Sequence, residues 1–319
     1  MNRLIAAVVL TLAASLPAHA QGFPDRPIHL IVPYGPGGIT DFAGRTLAKA
    51  IGDAIGQTVV VENKPGAGGI VGVDYVAHSA PDGYNMAVMD PAVVINPILQ
   101  KSMPYDIFKD IVPLSITSSS PEVLVVAPQL GIKTYAELVA YGKANPGKLN
   151  YASAGVGTTP HLAAELWKSR TGIDAVHVPY KGIGASYTDM MSNKVQMSFS
   201  SIAGARPFTD DGRVIALATT GSVRSPVYPD KPTVAEAGLP GYDVDLWLGL
   251  YGTAGTPPDV LAKLNAAIAK GLQSEELKTA FAKFGLTPRG LSLADSAAFT
   301  KSEYEKWKKV IADSHITLD

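Results

Sequence analysis

The segment Ile28–Ile55, IHLIVPYGPGGITDFAGRTLAKAIGDAI, constrains the fold more than any other stretch of the chain. Ile28 to Pro33 is a short apolar, β-branched run with the length of a buried strand. It ends in Tyr34-Gly35-Pro36-Gly37-Gly38, where little side chain shields the backbone. Phe42, Ala43, Leu47, Ala50, Ile51, Ala54 and Ile55 then recur at helical spacing, with Thr40 or Asp41 as the expected N-cap oxygen. Strand, glycine turn and helix N-terminus in this order make an anion site. The free N–H groups of the first helical turn face the turn, and glycine lets a negative group approach them.

The unit repeats. Thr58 to Glu62 reads as a strand, Asn63 to Gly69 as a second glycine turn, Ile70 to Ser79 as a helix and Tyr84 to Met89 as a third strand. This βαβαβ order predicts a parallel sheet that binds ligands at the carboxyl ends of its strands. Two apolar strands follow, Ile111 to Thr117 and Val123 to Ala127, separated by Ser118-Ser119-Ser120-Pro121, a polar break where the chain is expected to leave one lobe for another.

Beyond that break, three more strands run into loops of small residues. One ends at Ser153 and enters Ala154 to Pro160, with Gly155, Thr158 and Thr159, before a helix from His161. The second is followed by Tyr180-Lys181-Gly182, and the third by Ser200 and Ser201, with Arg206 further along. Arg224 to Tyr242 reads as the return crossing, Leu246 to Tyr251 as a strand rejoining the first lobe with Trp247 in its core, and Asp259 to Leu272 and Ala294 to Ile311 as bracing helices. The expected architecture is α/β in two lobes, each a mainly parallel sheet flanked by helices, joined by two crossovers. Residues 21–120 and 243–319 form lobe 1 and residues 121–242 form lobe 2.

Residues 1–20 carry a short basic start, the apolar run Leu4 to Leu16 and the small-residue site Ala18-His19-Ala20. They read as a cleaved secretory signal rather than a retained anchor, which places the mature chain in a periplasm. The chain has no cysteine, so it has neither disulfides nor thiolate metal ligands. With 27 basic and 28 acidic residues its charge is near balance, which argues against a nucleic-acid partner.

Several chemistries meet the sequence and fail. Gly35-x-Gly37 after a strand, with Glu62 ending the next one, imitates a dinucleotide fingerprint, but Thr40 stands where the third glycine belongs. Hydrolysis lacks a G-x-S-x-G elbow, and Ser153 with His161 has no acidic orienter. The histidines show no i, i+4 spacing, so neither a metal nor another cofactor is expected. Asp41 suits the helix dipole and also borders the anion site. Lys181 and Arg206 are the cations of the second lobe's loops, each a surface charge or a carboxylate ligand.

The chain resembles the extracytoplasmic receptors of tripartite tricarboxylate transporters, the Bug receptors, over essentially all of its mature length. The resemblance lies in Pro24 to Pro27, Val32 to Asp41, Val61 to Gly69, Ala80 to Tyr84, His161 to Glu165, Val178 to Gly182, Arg224-Ser225, Pro232 to Gly238 and Gly241-Tyr242. It implies a type II-like, two-lobed periplasmic binding protein, a monomer that closes over a small organic carboxylate and delivers it to membrane transporter subunits without doing chemistry. It also implies ligand contacts from Tyr34, Gly35, Gly37, Gly38, Thr40 and Asp41 in one lobe. Ser153, Gly155, Thr158, Thr159, His161, Tyr180, Lys181, Ser200 and Ser201 supply the other. Ser200 stands where the family commonly has an aspartate, which disfavours an amino acid, and Arg206 hints at a second acidic group on the ligand. A dicarboxylate or an aromatic carboxylate such as terephthalate is the expected ligand. A periplasmic enzyme acting on a carboxylate and a ligand sensor are the alternatives.

Overall fold

A computed structural model describes residues 22–180, 182–314 and 316–317. The signal segment and Lys181 lie outside the described residues. Strands β1 (Ile28–Val32), β2 (Val59–Asn63) and β3 (Asn85–Met89) are parallel, in the order β2-β1-β3. Helix α1 (Ile39–Ile55) and helix α2 (Ile70–Ala77) follow the two glycine turns. Ala43, Leu47, Ala50 and Ile51 form the buried stripe of α1, packed with Leu30 and Val32 of β1. The N-cap of α1 is Gly38, not Thr40 or Asp41, and no side chain caps it; the helix begins two residues earlier than its polar residues suggest.

Strand β4 (Ile111–Val126) corrects the sequence reading. Ser118 to Pro121 is no break but the middle of one 16-residue strand. Its backbone is paired antiparallel with β9 (Asp245–Thr253), from Ile111 opposite Thr253 to Pro121 opposite Asp245, with two register shifts absorbing the irregularity. The serines are buried and small, so cross-strand pairing overrides their weak strand preference. β9 in turn pairs antiparallel with β3. Past Pro121, β4 changes partners, pairing with β7 (Met197–Ser201) on one side and β8 (Ile215–Thr219) on the other. β7, β5 (Leu149–Ser153) and β6 (Ala175–Pro179) are parallel. The result is two sheet halves sharing β4, each with a parallel set and antiparallel crossing strands, as a two-lobed binding protein requires.

Helices of the second half are α4 (Tyr135–Ala144), with a Thr134–Glu137 capping box, α5 (Thr159–Thr171), α6 (Tyr187–Met191) and α7 (Ile202–Thr209). The first half holds α3 (Ala92–Leu99), α8 (Pro258–Gly271), α9 (Glu275–Lys283) and α10 (Leu293–Asp313); α3 and α9 are absent from the sequence reading. A short strand β10 (Thr287–Pro288) adds to β4 at Ser118 and Ser119.

α10 braces the crossing. Ser296 Oγ accepts the N–H of Ile116 at 3.1 Å, and Glu303 accepts the indole N–H groups of Trp247 at 2.9 Å and Trp307 at 3.2 Å. Both indoles are fully buried and their polar edges are satisfied, so they contribute their full apolar area to the core. Trp247 packs as the sequence predicts.

Candidate functional site

A cleft of about 370 Å³ opens between the two sheet halves. From the first half it is lined by Tyr34, Gly68, Asp90 to Ala92, Ile95, Asn96 and Leu99. From the second half come Ala154, Val156 to Pro160, Ile183 and Ser201, and the crossing strands contribute Glu122 and Leu246. These are the carboxyl ends of strands β3, β5 and β7 and the loops after them, where a parallel sheet is expected to bind.

The first wall is built around Asp90. Its Oδ1 accepts the Tyr34 hydroxyl at 2.9 Å and the N–H of Ala92 at 2.9 Å, which fixes the start of α3. Burial raises the Asp90 pKa, and burial together with Asp90 raises that of Tyr34 well above the ordinary tyrosine range. Asn96 donates to the carbonyl of Gly68 at 3.0 Å, tying α3 to the second glycine turn. Ile95 and Leu99 add an apolar surface.

The opening glycine loop stands beside this wall. Gly35, Gly37 and Gly38 are exposed, and Thr40 is buried in the first turn of α1. Asp41 turns inward. It accepts the Gly37 N–H at 3.0 Å, two bonds from Arg45 at 2.9 and 3.1 Å, and one from Asn63 at 2.9 Å. The bonds from Arg45, then Gly37 and Asn63, hold its carboxyl at about 2 against the opposing effect of burial. Asp41 and the Gly37 N–H therefore hold the loop's shape. Glu62, the acid of the dinucleotide fingerprint, is paired with His29 and Lys64.

In the second wall the N-terminus of α5 faces the cleft. Thr158 is its N-cap, no side chain caps the helix, and Thr158, Thr159 and Pro160 all line the opening. The loop before it is held from behind. Ser153 Oγ accepts the Gly155 N–H at 3.0 Å and bonds His177 Nε2 at 2.6 Å, and Thr158 Oγ1 donates to the Gly155 carbonyl at 2.7 Å. His161 Nδ1 accepts the Gly157 N–H at 3.1 Å, and its ring stacks on His177 with centroids 4.1 Å apart. Burial first, and the neighbouring His177 second, push His161 down to about 4, so it is a neutral acceptor that pins the loop.

Of the remaining sequence-selected residues, Ser201 lines the cleft and caps α7, accepting the Gly204 N–H at 3.3 Å. Ser200 is buried and donates to Ser198 Oγ at 3.2 Å. Tyr180 donates to Asp189 at 2.8 Å, and burial with that bond pushes its hydroxyl up to about 12. Arg206 lies within α7, with its side chain 60% exposed and paired to Asp210 at 3.3 Å, and it is not part of the cleft wall. The structure thus brings Tyr34, Thr158, Thr159 and Ser201 together. The sequence reading missed Asp90, Asn96, Gly68 and Glu122. Asp90 follows the third strand of the first lobe, the same position that singled out the two glycine turns.

Two sheet halves that share strand β4, with neutral donors and apolar side chains facing each other over one cleft, define a solute-binding receptor. The chain belongs to the family described as tripartite tricarboxylate transporter family receptor, which matches residues 43–316. It is similar to Protein BugT of Bordetella pertussis, 35% identical over 323 residues that cover 100% of this chain and 99% of that protein. An R. palustris protein solved with adipate superposes with a TM-score of 0.78 at 31% identity, covering 92% of this chain and 99% of that one. MatC from Rhodopseudomonas palustris, solved with bound malate, gives 0.72 at 31% identity over 91% and 100% of the two chains. Receptors of this family are periplasmic solute-binding proteins of transport systems, not enzymes. Among the described residues no helix is long and apolar enough to cross a membrane.

Proposed function

We propose that this receptor captures a small organic dicarboxylate in the cleft between its sheet halves and delivers it to the membrane subunits of a tripartite tricarboxylate-type transporter. The observation that carries the reading is the N-terminus of α5, free of any side-chain cap, which opens on the cleft with the Thr158 and Thr159 hydroxyls. A helix N-terminus favours an anion through its free N–H groups and its dipole. Ile95, Leu99, Val156, Ile183 and Leu246 offer a hydrocarbon-lined interior, which suits an aliphatic or aromatic body between acidic ends. The relatives solved with adipate and malate bind ligands of this chemistry.

In this proposal Tyr34, Thr158, Thr159 and Ser201 face the ligand. Asp41, Ser153, Gly155 and His161 fix the loops that present them, Ser200 lies buried in β7 behind Ser201, and Gly35, Gly37, Gly38 and Tyr180 complete the rim. The lobe limits 21–120 with 243–319, and 121–242, are supported by the change of partners in β4 at Pro121 and Glu122. Export with cleavage after Ala20 belongs to the same proposal, and intact mass of the periplasmic protein tests it.

Thermal-shift screening against aliphatic and aromatic mono- and dicarboxylates tests the ligand class. A ligand at a hundred times its Kd stabilises by about 2.7 kcal/mol, enough to register as a shift of several degrees. The proposal expects dicarboxylates to stabilise more than monocarboxylates or amino acids. Stabilisation by amino acids alone would contradict it.

A further inference from the structure

Glu122 is the one acidic group on the crossing strands among the residues that line the cleft. It is 2% exposed, and its Oε2 is fully enclosed without a hydrogen-bond partner among the described residues. Its backbone is fixed on both sides. It stands opposite Ser201 in the β4–β7 pairing, its N–H donates to Thr220 Oγ1 at 2.7 Å, and its carbonyl accepts from the same hydroxyl at 3.2 Å. A carboxyl placed so firmly against a ligand cavity, with no protein group to bond, is costly unless it bonds what enters the cavity.

We propose that Glu122 is a specificity-determining residue, a buried carboxylic acid whose O–H donates a hydrogen bond to an oxygen of the bound dicarboxylate. The inference rests on the carboxylate reading above and assigns one end of the ligand to the crossing strands.

The surroundings favour the neutral acid. No described cation forms an ion pair with Glu122. Asp245, opposite the neighbouring Pro121 on the paired strand, is half-buried, with its Oδ1 enclosed and without a hydrogen-bond partner among the described residues. The other titratable groups that bear on Glu122 are the hydroxyls of Tyr187 on α6 and Tyr242 ahead of β9, both of them neutral, whereas Arg289 and Lys306 act on Asp245. Burial first, and Asp245 second, push the Glu122 carboxyl up to about 8. A neutral acid donates to a carboxylate oxygen, whereas an ionised one repels it. Ligand and proton therefore bind together, and affinity falls as pH rises through that value.

The test is a set of titrations with adipate, malate and terephthalate at about pH 6.5 and about pH 9, on the wild type, Glu122→Gln and Glu122→Leu, since only the protonated fraction is competent. The wild type should bind its best diacid about tenfold more weakly at the higher pH, the ratio set by that fraction. Glu122→Gln keeps a donor of the same shape and cannot titrate, so it should hold the low-pH affinity at both values. Glu122→Leu, folded as judged by its thermal transition, should bind at least about tenfold more weakly than wild type at the lower pH, because the ligand oxygen loses its donor. An unchanged pH ratio in Glu122→Gln overturns the role of Glu122 while leaving the carboxylate reading intact. So does a Gln variant that loses binding at low pH, since a neutral donor of the same shape then does not replace the acid. A wild type that binds no diacid at either pH overturns both.

Discussion

Asp41 accepts the backbone N–H of Gly37 at 3.0 Å, so the acid in the first turn of α1 closes the glycine loop in front of its own helix. The same carboxylate gathers Arg45 and Asn63, and Asn63 also donates to the Tyr34 carbonyl at 3.0 Å. One buried side chain thus joins the end of β2, the helix and the turn between β1 and α1.

Replacing Asp41 with Asn should lower stability at neutral pH by about 1–3 kcal/mol, the cost of weakening a buried charged hydrogen-bond hub. Arg45 is half-exposed, so the ion pair adds little beyond its hydrogen bonds. The folded-state pKa of Asp41 lies below the ordinary aspartate value, so its contribution is present above about pH 4 and lost as pH falls toward about 2. Urea melts across that range should show the wild-type advantage over Asp41→Asn shrinking with acidity. A constant difference would mean that the carboxylate's charge does not matter.

Gly37 has φ +92° with open space around it, whereas Gly38 is extended at φ −80° and equally open. Gly37→Ala should therefore cost about 1 kcal/mol through backbone strain alone, and Gly38→Ala almost nothing. Denaturant unfolding of the pair checks this, and equal stabilities would place the loop in another conformation.

Across the cleft, a Cβ on Gly157 would meet Leu99 Cδ1 at 3.0 Å, and the backbone there has φ +77°. This is a contact point between the α5 loop and α3. Gly157→Leu should hold the walls apart and weaken ligand binding by about tenfold or more, as expected when the competent closed state is depopulated. Adding Leu99→Ala should recover part of the loss, a coupling of about 1 kcal/mol in a double-mutant cycle. Strict additivity would show that the two residues do not meet in the bound protein.

Arg206→Ala should leave Kd for a dicarboxylate and for its monocarboxylate analogue within about twofold, and stability within about 0.5 kcal/mol, since its partner Asp210 is also exposed. A loss confined to the diacid would bring Arg206 to the ligand in the closed state.

The alternation of strand, glycine turn and helix was legible because each strand here is an apolar run ended by turn residues, and the parallel order follows from that alternation. What stayed hidden depends on pairing over distance. Helix α3 reads as one more apolar run, with Pro91 before it, Pro97 inside it and no serine or threonine at its start, so Asp90 and Asn96 had no element to belong to. Ser118 to Pro121 looks like a linker until its backbone is matched to Asp245–Leu248. Glu122 becomes part of the site only through its register with Ser201. His161 carries a chemistry-bearing side chain that sequence reading assigns to the ligand, yet its contacts are Gly157 and His177, the latter brought near by the pairing of β5 with β6.

The most direct measurement is a calorimetric titration of adipate, malate, terephthalate and glutamate into the wild type and into Gly157→Trp, whose side chain fills the cleft entrance beside Leu99. The account predicts one-to-one binding of at least one diacid, recovered chemically unchanged, with the signal lost in a folded Gly157→Trp protein and glutamate bound far more weakly. Diacid binding that survives the blocked cleft, or glutamate as the preferred ligand, would contradict it.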